Sequence, residues 1–251
     1  MKRRWRTRTT VGLAEGAVLL AVGSLWLAGA DGGFSITSLI DVWTDPDALI
    51  LLGVWTGLIL AGQGAMLLPV RRPTPMREGG NSVLVSLAVA GAGASLLLSA
   101  WVWSAFELFH RWDAFTQTPG AGWAMLGMIL VGWLIATPLL LAFCRKGPRD
   151  LILARLSSGL FLGTALETIA IMPIDIMVRK RTDCYCGSGT FLALTATGSV
   201  GLLALGPAII APLVMRRRRR WWRSRCEHCG YDMRGSLDAD RCPECGAGWR
   251  E

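Results

Sequence analysis

The chain has 251 residues, 52% of them apolar and only 18% charged, with a formal net charge of +8 and a mean hydropathy of +0.43. A single water-soluble globule of this length needs more polar surface to cover its core, so the composition excludes one. The apolar residues also run together, where a soluble helix would confine them to one stripe, and a bilayer is the solvent such runs require.

Crossing about 30 Å of hydrocarbon takes about 20 helical residues. Six runs reach that length: 11–30, 48–70, 82–109, 121–144, 151–178 and 190–215. The third and fifth are long enough to tilt or to extend past the bilayer. The expected fold class is an all-α membrane bundle of about six transmembrane helices, residues 1–215. A basic juxtamembrane linker (216–225) and a small, β-rich zinc ribbon (226–251) follow it. The longest connection between spans, 31–47, reads as a polar loop.

Lysine and arginine set the orientation of such a bundle. Eighteen fall on one side, at the amino terminus, in the second and fourth connections, and at 216–225. Only Arg111, Arg179, Lys180 and Arg181 fall on the other. This asymmetry predicts both termini in the cytoplasm. The Arg179 cluster runs against the rule, and Asp175, one turn earlier, is expected to offset part of it. The first run also fits a cleaved signal peptide, with a basic start and Ala28-Gly29-Ala30 as the cleavage site. It is read here as a retained anchor.

Two groups of polar residues stand out in the apolar part. Glu167 lies well inside a long span, where a carboxylate is costly and usually faces the bundle interior. Gly159, Gly163 and Glu167 are spaced by four, and Gly159-x-x-x-Gly163 is a close-packing signal. Glu167 is therefore expected against a neighbouring helix, with Gln63 or a Ser or Thr as partner. It reads as a packing residue before an ion relay, because no second intramembrane charge completes a relay. Gly53-x-x-x-Gly57 and Gly12-x-x-x-Gly16 are further packing signals. At the outer edge, Glu107, His110 and Asp113 follow at i, i+3 and i+6 if the third helix continues. Cys184 and Cys186 lie on the same side. Glu107, His110, Cys184 and Cys186 form a speculative outer-face metal site, against which ion pairs and a looped disulfide weigh more. Trp101, Trp103 and Trp112 read as an interfacial belt.

The tail carries the most specific pattern, Cys226-x2-Cys229-x12-Cys242-x2-Cys245. Two thiolates spaced by two residues grip one ion from a single turn, and a second pair completes a tetrahedron of sulfurs. Gly230 and Gly246 follow the second cysteine of each pair, where a left-handed backbone lets amides point at sulfur. A segment so poor in apolar residues needs a metal for its stability. Zinc is the expected ion and iron the less favoured one, since the knuckles resemble those of rubredoxin but the spacer is far shorter. His228, between two ligands, reads as a solvated residue.

The strings C-x-x-C-G-Y-D-M-R-G and R-C-P-E-C-G resemble the C-terminal zinc ribbon of a group of bacterial multi-pass membrane proteins. That resemblance covers Cys226 to Gly246 and implies a structural zinc held by Cys226, Cys229, Cys242 and Cys245. It implies nothing about the bundle, for which a bacterial inner membrane is the expected location.

Nucleic acid is not the expected partner. Five arginines and six acids from Trp221 to Glu251 leave the ribbon near neutral. The run Arg216, Arg217, Arg218, Arg219 and Arg220 reads as an anchor for anionic lipids, and Trp221 and Trp222 as interfacial. No P-loop, H-E-x-x-H or Gly-x-Ser-x-Gly is present, so the reading leans away from an enzyme. The expectation is a membrane-anchored zinc-ribbon protein that docks a cytoplasmic protein partner. The alternative is a small transporter or membrane enzyme with the ribbon as accessory.

Overall fold

A computed structural model describes residues 2–30, 35–67, 81–109, 112–144, 149–180, 187–217 and 225–248, with 234, 237 and 238 excepted. Its helices are α1 (Lys2–Ala30), α2 (Ile36–Thr44), α3 (Pro46–Met66), α4 (Asn81–Leu108), α5 (Trp112–Thr116), α6 (Ala121–Cys144), α7 (Arg149–Arg179) and α8 (Gly189–Arg217). Six of these (α1, α3, α4, α6, α7 and α8) are long and apolar enough to cross a membrane. The protein is a multi-pass integral membrane protein. Exposed large side chains such as Leu58, Leu134, Leu162 and Ile169 are what lipid, and not water, tolerates on an outer face.

Each span starts where the local chemistry permits. Asp45 caps α3 by accepting from the Asp47 amide at 3.0 Å, and Pro46 occupies the first turn, where its missing N–H costs nothing. Ser35 caps α2 in the same way, accepting from Ser38 N. Helices α6 and α7 continue through Pro138 and Pro173.

The connection read as a polar loop contains α2, and this corrects the sequence reading. Its apolar positions sit at helical spacing within only nine residues, too few to register as a span. Leu39 and Val42 pack against Leu27 and Ala28 of α1 and Leu52 of α3, while Ile36, Ile40 and Trp43 stay exposed.

At the centre lies α4, packed on α3, α6, α7 and α8. Its residues there are small, with Ser86, Ala90, Ser95, Ser99, Ala100 and Ser104 all buried. Buried serines return their hydroxyl protons to backbone carbonyls: Ser95 Oγ donates to Ile129 O of α6 at 2.6 Å, and Ser104 Oγ to Ala100 O at 2.9 Å. Gly91 and Gly132 make the α4–α6 contact close. A Cβ at Gly91 would stand 2.5 Å from Thr137 Oγ1, and one at Gly132 2.5 Å from Ser95 Oγ.

Helices α7 and α8 run antiparallel along matched seams. Ser157, Leu160, Thr164, Glu167 and Ile171 are buried on α7, and Thr190, Ala193, Thr197, Val200 and Ala204 on α8. Both series alternate steps of three and four, the repeat that keeps one face toward a partner helix. Helix α3 lies alongside α8, with Gln63 Nε2 donating to Leu202 O at 2.9 Å. Helix α1 is peripheral and touches α3 and α2 most.

Candidate metal centre

The tail folds as two copies of one turn. In the first, Cys226 N donates to Tyr231 O at 2.8 Å and Gly230 N to Cys226 O at 3.0 Å. In the second, Cys242 N donates to Ala247 O at 2.8 Å and Gly246 N to Cys242 O at 2.9 Å. Each turn is closed by a single antiparallel bridge, Arg225 with Asp232 and Arg241 with Gly248. Both turns reverse at a glycine with positive φ, 81° at Gly230 and 68° at Gly246. A side chain is strained there, which is why glycine follows each second cysteine. Among the described residues β pairing in the tail is limited to these two bridges.

The two turns bring four sulfurs together. The Sγ atoms of Cys226, Cys229, Cys242 and Cys245 all lie within 4.8 Å of one another. Two contacts cross between turns, Cys226 to Cys245 and Cys229 to Cys242, each 3.6 Å. A tetrahedron with metal–sulfur bonds of about 2.3 Å has edges of about 3.8 Å, so these cysteines fit a four-sulfur ion site. All four are free thiols. The first cysteine of each turn is buried and the second exposed, as the repeat requires. Met233, fully buried against Cys226 and Cys242, fills the space beneath the cluster with Ala239 beside it.

Electrostatics separate the thiols of the first turn. Cys226 is pulled down from 9.0 to about 6, chiefly by the Cys229 backbone N–H, with that of His228 assisting against burial. Cys229 is pushed up to about 12. The Tyr231 backbone N–H acts downward on it, but partial desolvation and the three neighbouring thiols outweigh that. Proximity of four sulfurs makes a second and third negative charge costly until a cation balances them. His228 is exposed and stands outside the four-sulfur group.

The polar groups of the bundle fall differently from the sequence expectation. Glu167 is buried, but on the Thr164–Ile171 seam and not on the glycine face. Gly159 is open to the outside, and a Cβ at Gly163 would meet only Leu97, at 3.5 Å. Steps of four accumulate about 40° each on a 3.6-residue helix, so Gly159 lies about 80° from Glu167. The Thr197 hydroxyl lies beside Glu167 but outside hydrogen-bond geometry. Glu167 Oε1 and Thr197 Oγ1 have no partner among the described residues. Of the neighbours expected for Glu167, Gln63 or a Ser or Thr, Gln63 is spent on Leu202 O and it is a threonine, Thr197, that stands beside the carboxylate. Gly53, Gly57 and Gly12 meet nothing within 4 Å, so Gly53-x-x-x-Gly57 marks no helix contact among the described residues, whereas a Cβ at Gly16 would meet Leu60 of α3 at 3.7 Å.

At the end of the bundle that carries α2 and α5, α4 ends at Leu108, so Glu107 and Asp113 do not share a helix face. Glu107 Oε2 accepts from Gly189 N at 2.8 Å and thereby caps α8 from another helix. Trp112 is buried, with Nε1 donating to Gly187 O at 2.8 Å. Trp103 is buried too, which leaves Trp101 as the exposed member of the expected belt. Asp175 pairs with Arg179 at 2.8 Å, as its spacing suggests. His110, Cys184, Cys186 and Arg181 lie outside the described residues, as do Arg218, Arg219, Arg220, Trp221 and Trp222. Compared with protein-family models, with curated proteins and with solved structures, the chain finds no significant match.

Proposed function

We propose that the protein is a membrane-anchored zinc-ribbon protein whose tail holds one structural zinc ion and docks a cytoplasmic protein partner. The observation that carries this reading is the closed set of four sulfurs, all within 4.8 Å. Four thiolates fill a tetrahedral zinc shell and leave no position for substrate or water, which is the signature of a structural and not a catalytic site. A twenty-residue unit with a core of Met233, Ala239 and two cysteines owes its fold to that ion. Exposed Tyr231 beside the first turn offers an aromatic contact of the kind protein interfaces use.

Six spans keep the two ends of the bundle on one side, and the arginine asymmetry makes that side the cytoplasm of a bacterial inner membrane. The arginines from Arg216 to Arg220 then meet anionic headgroups and hold the ribbon at the surface. The resemblance to ribbon-bearing bacterial membrane proteins supports the same picture. The alternative, a small transporter or membrane enzyme with the ribbon as accessory, draws on the buried Glu167, whose Oε1 has no partner among the described residues.

Metal analysis of the detergent-purified protein tests the reading. Wild type is expected to carry one zinc per chain, and Cys242→Ser/Cys245→Ser none. Iron in place of zinc would point to an electron-transfer role, and metal retained by the double variant would remove the four-sulfur site.

A further inference from the structure

The bundle contains a cleft of 470 Å³ formed by α1, α3, α7 and α8. Helices α3 and α7 both pack on α8 but stand apart from each other, and α8 forms the floor between them. The indoles of Trp26 and Trp55 are held in place by hydrogen bonds to α8, Trp26 Nε1 to Thr195 Oγ1 at 3.0 Å and Trp55 Nε1 to Ser199 Oγ at 2.9 Å. These bonds tie two wall residues of the cleft to its floor.

Its chemistry is that of hydrocarbon. Five hydroxyl residues line it, but four spend their protons on their own helices. Thr164 donates to Phe161 O, Thr168 to Thr164 O, Thr195 to Phe191 O and Ser199 to Thr195 O, all at 2.6–2.8 Å. The fifth, Thr197, is fully buried beside Glu167. Apart from Thr197, whose Oγ1 has no partner among the described residues, the lining presents carbon.

Its shape selects among apolar occupants. Along α8 the lining runs from Leu194 to Leu205, about 16 Å at 1.5 Å per residue. That is half of the roughly 30 Å hydrocarbon thickness, the depth of one leaflet. The cleft occupies the half of the bundle nearest α2, since its α1 lining comes from the end of that helix and its α3 lining from the start. A single extended hydrocarbon chain of one leaflet has that length and that chemistry.

We propose that this cleft holds one acyl chain of a bilayer phospholipid as a resident ligand of the bundle. The opening faces the apolar exterior, with Leu51 and Phe161 exposed at its rim, so the chain enters sideways from the surrounding leaflet. Gly198 sits on the floor, where a Cβ would meet nothing within 4 Å, and a larger side chain there projects into the lipid's space without a clash at its base.

The test uses the full-length protein in vesicles of phosphatidylethanolamine and phosphatidylglycerol containing a phosphatidylethanolamine with a diazirine in one acyl chain. Photolysis is expected to label peptides containing Trp26, Trp55 or Phe161, and native mass spectrometry of the unlabelled protein to show one retained phospholipid. Gly198→Phe is expected to lose both signals. Gly198→Ala keeps them, and so does Gly53→Phe, which adds the same bulk on the open face of α3. Unchanged metal content and a monodisperse elution profile establish that each variant is folded. Thr168→Phe, which narrows the cleft from α7, replaces Gly198→Phe if that protein does not accumulate. Absence of retained lipid on the wild type would overturn the proposal. So would labelling of the same peptides in the plugged variant, or a cross-link from the cleft to a second copy.

Discussion

Single residues hold the ends of this fold together. Glu107 is the clearest case: a carboxylate on α4 accepts from the first amide of α8, so one side chain both caps a helix and ties two spans. Glu107→Ala removes that acceptor and is expected to cost about 0.5–2 kcal/mol, the usual loss for a helix cap. Glu107→Gln keeps a carbonyl oxygen in place and recovers most of it. Thermal unfolding of the detergent-solubilised variants measures the difference. In the tail, Cys226 lowered to about 6 and Cys229 raised to about 12 make opposite contributions to the pH dependence of metal capture. The sign follows from the direction of each shift. Above about 6 Cys226 is already a thiolate, so it contributes nothing to proton release at neutral pH. Cys229 still carries its proton there and must give it up to the ion. Affinity is therefore expected to rise with pH from 7 to 9 and to fall further below 6, where Cys226 also protonates. Calorimetric zinc titrations in buffers of different ionisation enthalpy count the released protons. A pH-independent affinity over this range would contradict the scheme.

Between elements, close approach is decided by a few small residues, and composition alone misidentifies them. Gly53 and Gly57 have the spacing of a helix-packing pair yet face outward, while Gly91 and Gly132, which share no such spacing, lie where α4 and α6 touch. A small-x-x-x-small pattern says that a helix can approach, not that one does. Gly132→Leu is expected to destabilise the bundle by about 1–3 kcal/mol through overpacking, and Gly53→Leu to be neutral. Unfolding midpoints of the two variants in one detergent compare them directly. The same reasoning relocates Glu167. Its residue type announced a buried position, and burial is what the fold shows. Its face depends on the alternation of three and four along α7, which is visible only once the partner stripe on α8 is known.

On the scale of the whole molecule, the proposed docking role assigns separate tasks to the ribbon and the bundle. If the ribbon docks a partner as proposed, Glu167→Gln is expected to leave that binding unchanged and Cys242→Ser/Cys245→Ser to abolish it. Affinity capture from cell membranes with full-length protein, compared between the two variants, checks both outcomes, and a reversed pattern would favour the transporter alternative. Fusion of a folding reporter to each end tests the arrangement in the membrane. Fluorescence of a cytoplasm-only reporter is expected at both ends, and fluorescence at only one end would mean an odd number of crossings.

Much of this was legible in the residues themselves. Six spans follow from run length, because transfer of an apolar helix into a bilayer depends on composition summed along the chain and hardly on neighbours. The four cysteines and their glycines were likewise readable, since a metal turn is a local structure and its residues are adjacent in sequence. What the residues could not express is which helix faces meet. In a bilayer every outer face is apolar, so hydrophobic periodicity no longer marks the core, and packing is decided by shape between segments far apart in the chain. The seam that buries Glu167, the capping of α8 by Glu107 and the cleft walled by Trp26 and Trp55 all belong to that second kind of information.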